Sequence, residues 1–341
     1  MSDLTGKRVL VTGGCGSIGS ILTERILLQD PEYVRLFDSN EQGLFSMRNE
    51  HDDKLEKLRF LIGDIRDYDR LRMAMEDIDV VFHAAALKHV TLNEYNPFEA
   101  VRTNVNGTQN VIRAALEENV DSFVGISTDK ASNPTSVMGA TKLLSERLTI
   151  AANSYKGGRD ISFGCVRFGN VALSNGSVIP LFVNQIREGG PITVTDPEMT
   201  RFIMPTQRAV GLVLEAEDRI DAGEIFILKM PAFQLGDLAE VVRDEFAPEF
   251  GYEPSDIDIE IIGPKPGERY HEKLISKDES RFIRELDEMY ALDPQIDFRS
   301  YEASAEQRGD AIDGEVTSAD VELLSRDDIR ELIYESKGTI L

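Results

Sequence analysis

Val9-Leu10-Val11-Thr12-Gly13-Gly14-Cys15-Gly16-Ser17-Ile18-Gly19 decides the fold. A short apolar run breaks into glycines and turns at once into a helix start. The glycines at 13, 16 and 19 follow a GxxGxxG spacing rather than GxGxxG. Gly13 permits a tight turn, Gly16 lets backbone N–H groups approach a pyrophosphate, and Gly19 lets helix and strand pack closely. Ser17 and Ile18 open the helix, whose N-terminus carries partial positive charge. The stretch predicts a dinucleotide-binding turn. Cys15 inside it reads as a small filler residue rather than a redox-sensitive thiol.

The same rhythm continues outward. Short apolar runs rich in β-branched and aromatic residues lie at 8–12, 33–37, 58–62, 80–83, 122–126 and 161–167. Helical patterns separate them at 18–28, 41–50, 68–75, 100–118 and 136–152. Such alternation predicts an α/β protein with a doubly wound parallel sheet of Rossmann type. After Arg167 the rhythm breaks, and Gly and Pro become frequent up to Pro205. Helices are expected at 207–216 and 235–245, strands at 224–228 and 257–262, and a last helix at 326–336. The segment 293–314 is polar and weakly patterned. Residues 1–168 therefore read as an NAD(P)-binding domain and 169–341 mainly as a substrate-binding cap. A segment of that cap, about 207–230, is expected to return to the sheet.

Of the 341 residues, 61 are Asp or Glu and 37 Lys or Arg, giving a net charge of -24. Such a field repels phosphate backbones, so nucleic acid is not an expected partner. Arg outnumbers Lys, 25 to 12. An acidic, Lys-poor surface suits concentrated salt, so a salt-loving host is expected. No apolar run is long enough to span a bilayer and no leader opens the chain, so a cytoplasmic protein without membrane insertion is expected. Two Cys and four His without CxxC or HxxxH leave no dedicated metal site.

Asp38 closes the second strand, where a carboxylate accepts hydrogen bonds from the adenosine ribose and repels a 2′-phosphate. NAD is therefore expected ahead of NADP. Asp64 and Ile65, after the third strand, are candidates for the adenine side. Ala84 and Ala86 in His83-Ala84-Ala85-Ala86 leave room for the nicotinamide ribose. Lys88 follows at the carboxyl edge of the sheet, where open α/β folds bind ligands.

Ser127-Thr128-Asp129-Lys130 and Met138-Gly139-Ala140-Thr141-Lys142 complete a constellation with Asn104. Together with the glycine loop it resembles the extended short-chain dehydrogenase/reductase family. That family presents Ser/Thr, Tyr and Lys; Met138 stands here at the Tyr position, and a thioether takes no proton. Thr128-Asp129-Lys130-Ala131-Ser132-Asn133-Pro134, Ala84 to Val90, Arg167 to Val171, Thr195 to Phe202 and Lys265 to Glu272 narrow the resemblance to the UDP-N-acetylglucosamine 4,6-dehydratase branch, in its short form.

The resemblance implies a UDP-4-keto-6-deoxy sugar product, with C5 inversion among the outcomes, for surface glycan synthesis. It implies a tightly held cofactor, oxidised again within each turnover. Lys130 is then the C5 base and Asp129 the acid at O6. Thr128 bonds the sugar O4, and Lys142 binds the nicotinamide ribose. For Lys130 to act as a base its proton affinity must fall, through burial or nearby Lys142. Asn104, a cofactor-side candidate, is expected to support the helix carrying the active site through a water. Lys88, Asn170, Ser174 and Arg201 are candidates for the diphosphate, and Glu268 for the uridine ribose or for the cap. A homo-oligomer, a hexamer among its forms, is also implied. Two other readings stand beside this one: a UDP-hexose 4-epimerase, and a non-catalytic NAD-binding sensor.

Overall fold

In the computed structural model, residues 3–172, 177–221, 223–294, 310–312 and 314–334 are described. The first half alternates as β1 (Arg8–Thr12), α1 (Ser17–Leu27), β2 (Tyr33–Asp38), α2 (Glu41–Glu50), β3 (Leu58–Ile62), α3 (Tyr68–Met75) and β4 (Val80–His83). Two short helices follow, α4 (Val90–Tyr95) and α5 (Pro97–Ala100), then α6 (Thr108–Glu117), β5 (Ser122–Thr128), α7 (Val137–Tyr155) and β6 (Ser162–Phe168). β7 (Asn170–Val171), α8 (Val178–Arg187), β8 (Ile192–Val194), β9 (Thr200–Met204), α9 (Thr206–Glu217), β10 (Ile225–Leu228) and β11 (Ala232–Gln234) come next. The chain closes with α10 (Leu235–Phe246), β12 (Ile259–Ile261), β13 (Lys273–Ile275), β14 (Ile283–Glu285), β15 (Met289–Leu292), β16 (Asp310–Ala311), β17 (Val316–Thr317) and α11 (Arg326–Tyr334).

The large sheet has the order β16-β14-β15-β10-β6-β5-β4-β1-β2-β3. The pairings from β3 through β10 are parallel. β15, β14 and β16 extend it antiparallel. The strand order reverses between β1 and β4, and ligand crevices open at such a switch point. β4 is buried along its whole length and β1 nearly so, as strands covered by helices on both faces must be. A separate core joins α8, β8, α10 and α11 through Phe182, Ile186, Phe246 and Ile333. Small sheets, β11-β9-β7, β12-β8 and β13-β17, lie beside the main one.

Several elements differ from the expectation. The helix expected over 100–118 is interrupted by a π-helical segment at Val101–Gly107. It brings Gly107 against Ile65, where a Cβ would approach the Ile65 Cδ1 to 2.6 Å. Helix α8 lies inside the Gly- and Pro-rich stretch, and β14 and β15 lie where no strand was expected. Most of 293–314, the end of the last expected helix (residues 335 and 336) and Ser174 lie outside the described residues. Among the described residues, no helix is long and apolar enough to cross a membrane.

Candidate active site

The glycine turn is built by close approach. Gly13 sits at φ +70°, and a Cβ there would lie 2.7 Å from the Ala85 backbone nitrogen. A Cβ on Gly19 would lie 2.1 Å from the Gly13 carbonyl oxygen. Both positions exclude a side chain, so α1 passes directly over the loop. Gly16 at the N-cap brings no side chain to occupy the first N–H groups of α1. Asp38 secures the loop: its Oδ2 accepts from Cys15 N at 3.0 Å and its Oδ1 from Asn40 N at 2.9 Å. The half-buried Cys15 is a thiol, pushed up to about 12 by burial and by Asp38, consistent with filler.

A cavity of about 400 Å³ runs from this loop along the carboxyl edge of the sheet. Gly13, Gly16, Ser17, Ile18, Gly19, Ala84, Ala86, Lys88, Thr128, Lys130, Met138 and Lys142 line it. The residues present fit a dinucleotide: a cradle that a Cβ at Gly13 or Gly19 would fill, and an open helix start. Asp38, Asp64, Ile65 and Asn104 are not among the lining residues. Asp64 is paired with Arg66, Nη2 to Oδ2 at 2.5 Å, and Ile65 is buried in the core. Asn104 acts from behind the wall. It bonds both the N–H and the carbonyl of Leu87, at 2.8 and 3.0 Å, and donates to Thr141 Oγ1 at 3.0 Å. It thus ties the Ala84–His89 loop directly to α7.

Beneath the loop lies a buried polar chain. His83 Nδ1 meets Thr12 Oγ1 at 2.7 Å, and its Nε2 meets Thr108 Oγ1 at 2.9 Å. Burial and the Lys142 charge push His83 down to about 3, so it is neutral. It is a structural link between β1, β4 and α6.

A second cavity of about 380 Å³ continues toward the expected cap, lined by Phe182, Arg201, Phe233, Glu268 and Glu272 among others. Lys88, His89, Lys130, Asn170 and Val171 line both cavities, so Lys130 stands where they meet. β5 ends at Thr128, and the next turn carries Asp129 and Lys130. Thr128 Oγ1 donates to Asp129 Oδ1 at 2.8 Å, and Lys130 Nζ donates to the same oxygen at 3.1 Å. On its other side, Lys130 Nζ lies 3.2 Å from Glu272 Oε1. Burial raises Asp129, and Glu272 adds to that. Burial alone would lower Lys130, yet Asp129 and Glu272 hold it above its usual range. The expected fall is therefore reversed: two carboxylates outweigh desolvation. Lys142 does carry a lowered proton affinity, through burial, and its Nζ donates to the Ile126 carbonyl at 2.5 Å.

The cap side is charged. Arg201 Nη2 pairs with Glu268 Oε1 at 2.8 Å, and its Nε lies 3.7 Å from Glu272 Oε1. Asn170 Nδ2 donates to the Phe202 carbonyl at 3.1 Å. Lys88 stands at the mouth, lowered by partial desolvation, with no hydrogen-bond or ion-pair partner among the described residues. Glu272 was quoted in the sequence motif but given no role; only the fold reveals its contact with Lys130.

Behind the Thr128–Lys130 turn, Arg167 is fully buried. Its guanidinium takes both oxygens of Glu146 on α7, at 3.0 and 2.8 Å, and Glu279 at 2.8 Å. Glu279 in turn accepts from Ser132 Oγ at 3.1 Å. This network fastens β6, α7 and the turn after Lys130 together.

A family model described as polysaccharide biosynthesis protein matches residues 9–294. The chain belongs to this family. It is 41% identical over 295 residues to UDP-N-acetylglucosamine 4,6-dehydratase (inverting) of Campylobacter jejuni, covering 86% of this chain and 84% of the relative. It is 36% identical over 334 residues to UDP-glucose 4-epimerase of Rickettsia canadensis, covering 96% and 95%. The structure of Pen from Bacillus thuringiensis superposes with a TM-score of 0.90 at 44% identity, over 98% of each chain. A double mutant of DesIV, a dTDP-glucose 4,6-dehydratase of Streptomyces venezuelae solved with NAD, gives a TM-score of 0.67 at 25% identity, over 77% of this chain and 86% of that one. The family model, these relatives and the parallel sheet agree on a nucleotide-sugar enzyme fold of the extended short-chain dehydrogenase/reductase type. The relatives include both dehydratases and epimerases.

Proposed function

We propose that the protein is a nucleotide-sugar 4,6-dehydratase. It converts UDP-N-acetylglucosamine, or a close UDP-sugar, to a UDP-4-keto-6-deoxy sugar for surface glycan synthesis. The observation that carries this reading is the Asp129–Lys130 pair at the junction of the two cavities. An acid and a base side by side serve an elimination, whereas an epimerase loses no water.

When bound, NAD would supply hydride chemistry, accepting from sugar C4 and giving back to C6. Gly13, Gly16, Ser17, Ile18 and Gly19 would hold its pyrophosphate, and Asp38 its adenosine ribose. A carboxylate at Asp38 disfavours NADP. Lys142 would bond the nicotinamide ribose, with Ala84 and Ala86 leaving space. Thr128 holds the sugar O4 and passes its proton to Asp129, to which its hydroxyl already donates. Lys130 removes the proton from C5, made acidic by the 4-keto group. Asp129 protonates O6, and water leaves. Met138, buried in the cofactor wall, contributes packing only. Lys88, Asn170 and Arg201 meet the diphosphate. Glu268 orients Arg201 and faces the uridine side.

C5 inversion accords with the Campylobacter relative's name. Association with further copies of the chain is supported by α4 and α5, where Leu92 is 61%, Tyr95 88% and Phe98 82% exposed.

The epimerase reading keeps standing because of the Rickettsia relatives. Mass spectrometry separates the two. Purified protein with NAD and UDP-N-acetylglucosamine is expected to yield a product lighter by one water. An isobaric galacto isomer would establish the epimerase instead.

A further inference from the structure

Lys130 cannot remove a proton from C5 while it carries one of its own. We propose that Glu272 takes the Lys130 proton once the sugar has been oxidised, so that the C5 base is generated only at the step that uses it. This inference rests on the dehydratase reading.

Lys130 Nζ lies between Asp129 Oδ1 at 3.1 Å and Glu272 Oε1 at 3.2 Å. The same Glu272 oxygen lies 3.7 Å from Arg201 Nε. Glu272 is 5% exposed. Its backbone is pinned to Ser318 on both sides, N–H to Ser318 Oγ at 2.9 Å and carbonyl to Ser318 N at 2.9 Å. The carboxylate is therefore fixed in place, within one proton hop of Lys130 and in touch with the group that meets the diphosphate.

The charges around this array explain the timing. Burial favours the neutral forms of both Lys130 and Glu272. Asp129 and Glu272 keep Lys130 an ammonium, while Lys130, Arg201 and Arg269 keep Glu272 a carboxylate. Turnover cancels two of these charges. The 4-OH proton, relayed by Thr128, neutralises Asp129. The substrate diphosphate engages Arg201. What remains is a buried ammonium beside a buried carboxylate, and desolvation then drives the proton from Nζ to Oε1.

The steps balance. The O4 proton moves to Asp129, and the Nζ proton to Glu272. The C5–H bond breaks with its proton going to Nζ. The Asp129 proton goes to O6 as the C6–O6 bond breaks and water departs. C5 later takes a proton from solvent and Glu272 gives its own back to solvent, which leaves Lys130 an ammonium and Asp129 and Glu272 carboxylates, as at the start. Glu272 touches no reacting atom; it is a positioning residue for the Lys130 proton.

The test compares wild type, Glu272→Gln and Glu272→Asp, each with NAD and UDP-N-acetylglucosamine across neutral to basic pH. Absorbance of the reduced nicotinamide reports oxidation, and mass spectrometry reports water loss. Glu272→Gln is expected to reduce nicotinamide on mixing, yet to lose water about 100-fold more slowly at neutral pH. Its water loss should rise about tenfold per pH unit as Lys130 sheds its proton to solvent instead. Wild type and Glu272→Asp should lack that rise. A wild-type rate and profile in Glu272→Gln overturns the proposal. So does a joint fall of reduction and water loss with an unchanged profile, which a merely structural role would give. If Glu272→Gln does not fold, Glu272→Asp decides: it must slow water loss more than reduction, and equal slowing overturns the proposal. A wild type that neither reduces nicotinamide nor loses water overturns the dehydratase reading, and this inference with it.

Discussion

The two cavities are built in opposite ways. The cofactor side draws on short consecutive stretches at 13–19, 84–89 and 126–130, most of them small or apolar. Its specificity lies in what is missing: side chains at Gly13 and Gly19. The cap side draws charged residues from distant parts of the chain, with Arg201 meeting Glu268 and Glu272 meeting Lys130. Its specificity lies in charges that the fold brings together. The first region should be sensitive to added volume and tolerant of charge changes nearby. The second should be the reverse.

Lys130→Ala gives the sharpest contrast. Water loss should fall by about 10³-fold or more, while the NAD content of the purified protein stays unchanged. Loss of both together would show that the two regions are not separable.

Next is the clamp behind the Thr128–Lys130 turn. Arg167→Met leaves Glu146 and Glu279 buried without their partner, at a cost of about 3–5 kcal/mol, readable as a fall in the denaturation midpoint. The same clamp is acid-sensitive. Burial would push Glu279 up, but Arg167 and the Ser276 hydrogen bonds hold it down to about 2. A carboxyl held low in the folded state stabilises above its unfolded pKa. That contribution should disappear as pH falls from about 4.5 toward 2. Glu279→Gln should flatten that part of the acid unfolding curve.

A volume change probes the other side. Gly19→Ala should cost about 1–3 kcal/mol through overpacking and weaken NAD binding. The affinity of the cap side for UDP should be unchanged, as calorimetry with each ligand would read. The smallest effect concerns the surface as a whole. With a net charge of -24, added salt should raise the melting temperature by screening self-repulsion, and indifference to salt would remove the salt-adapted reading.

The same contrast governs what the sequence made legible. β1, α2, β3, α3 and β4 have the bounds that periodicity expects, because each is a local pattern closed by a turn. Helix α8 was hidden by surrounding Gly and Pro. Its buried Ile179, Phe182, Val183 and Ile186 still repeat at helical spacing. β14 and β15 are three and four residues long, too short for alternation to stand out. The glycine loop and the Thr128–Lys130 turn were legible because consecutive residues form them. Glu272 was not, because its role depends on a contact across 142 positions of sequence. The direction of the Lys130 shift failed for the same reason: burial could be inferred from the motif, whereas the second carboxylate could not.

One measurement tests the central claim most directly: proton NMR of UDP-N-acetylglucosamine incubated with the protein and NAD in deuterated water. The account predicts a new C6 methyl signal and loss of the C5 proton signal to deuterium, with the ring couplings reporting the C5 configuration. A galacto isomer that retains its C5 proton and its 6-OH would contradict it.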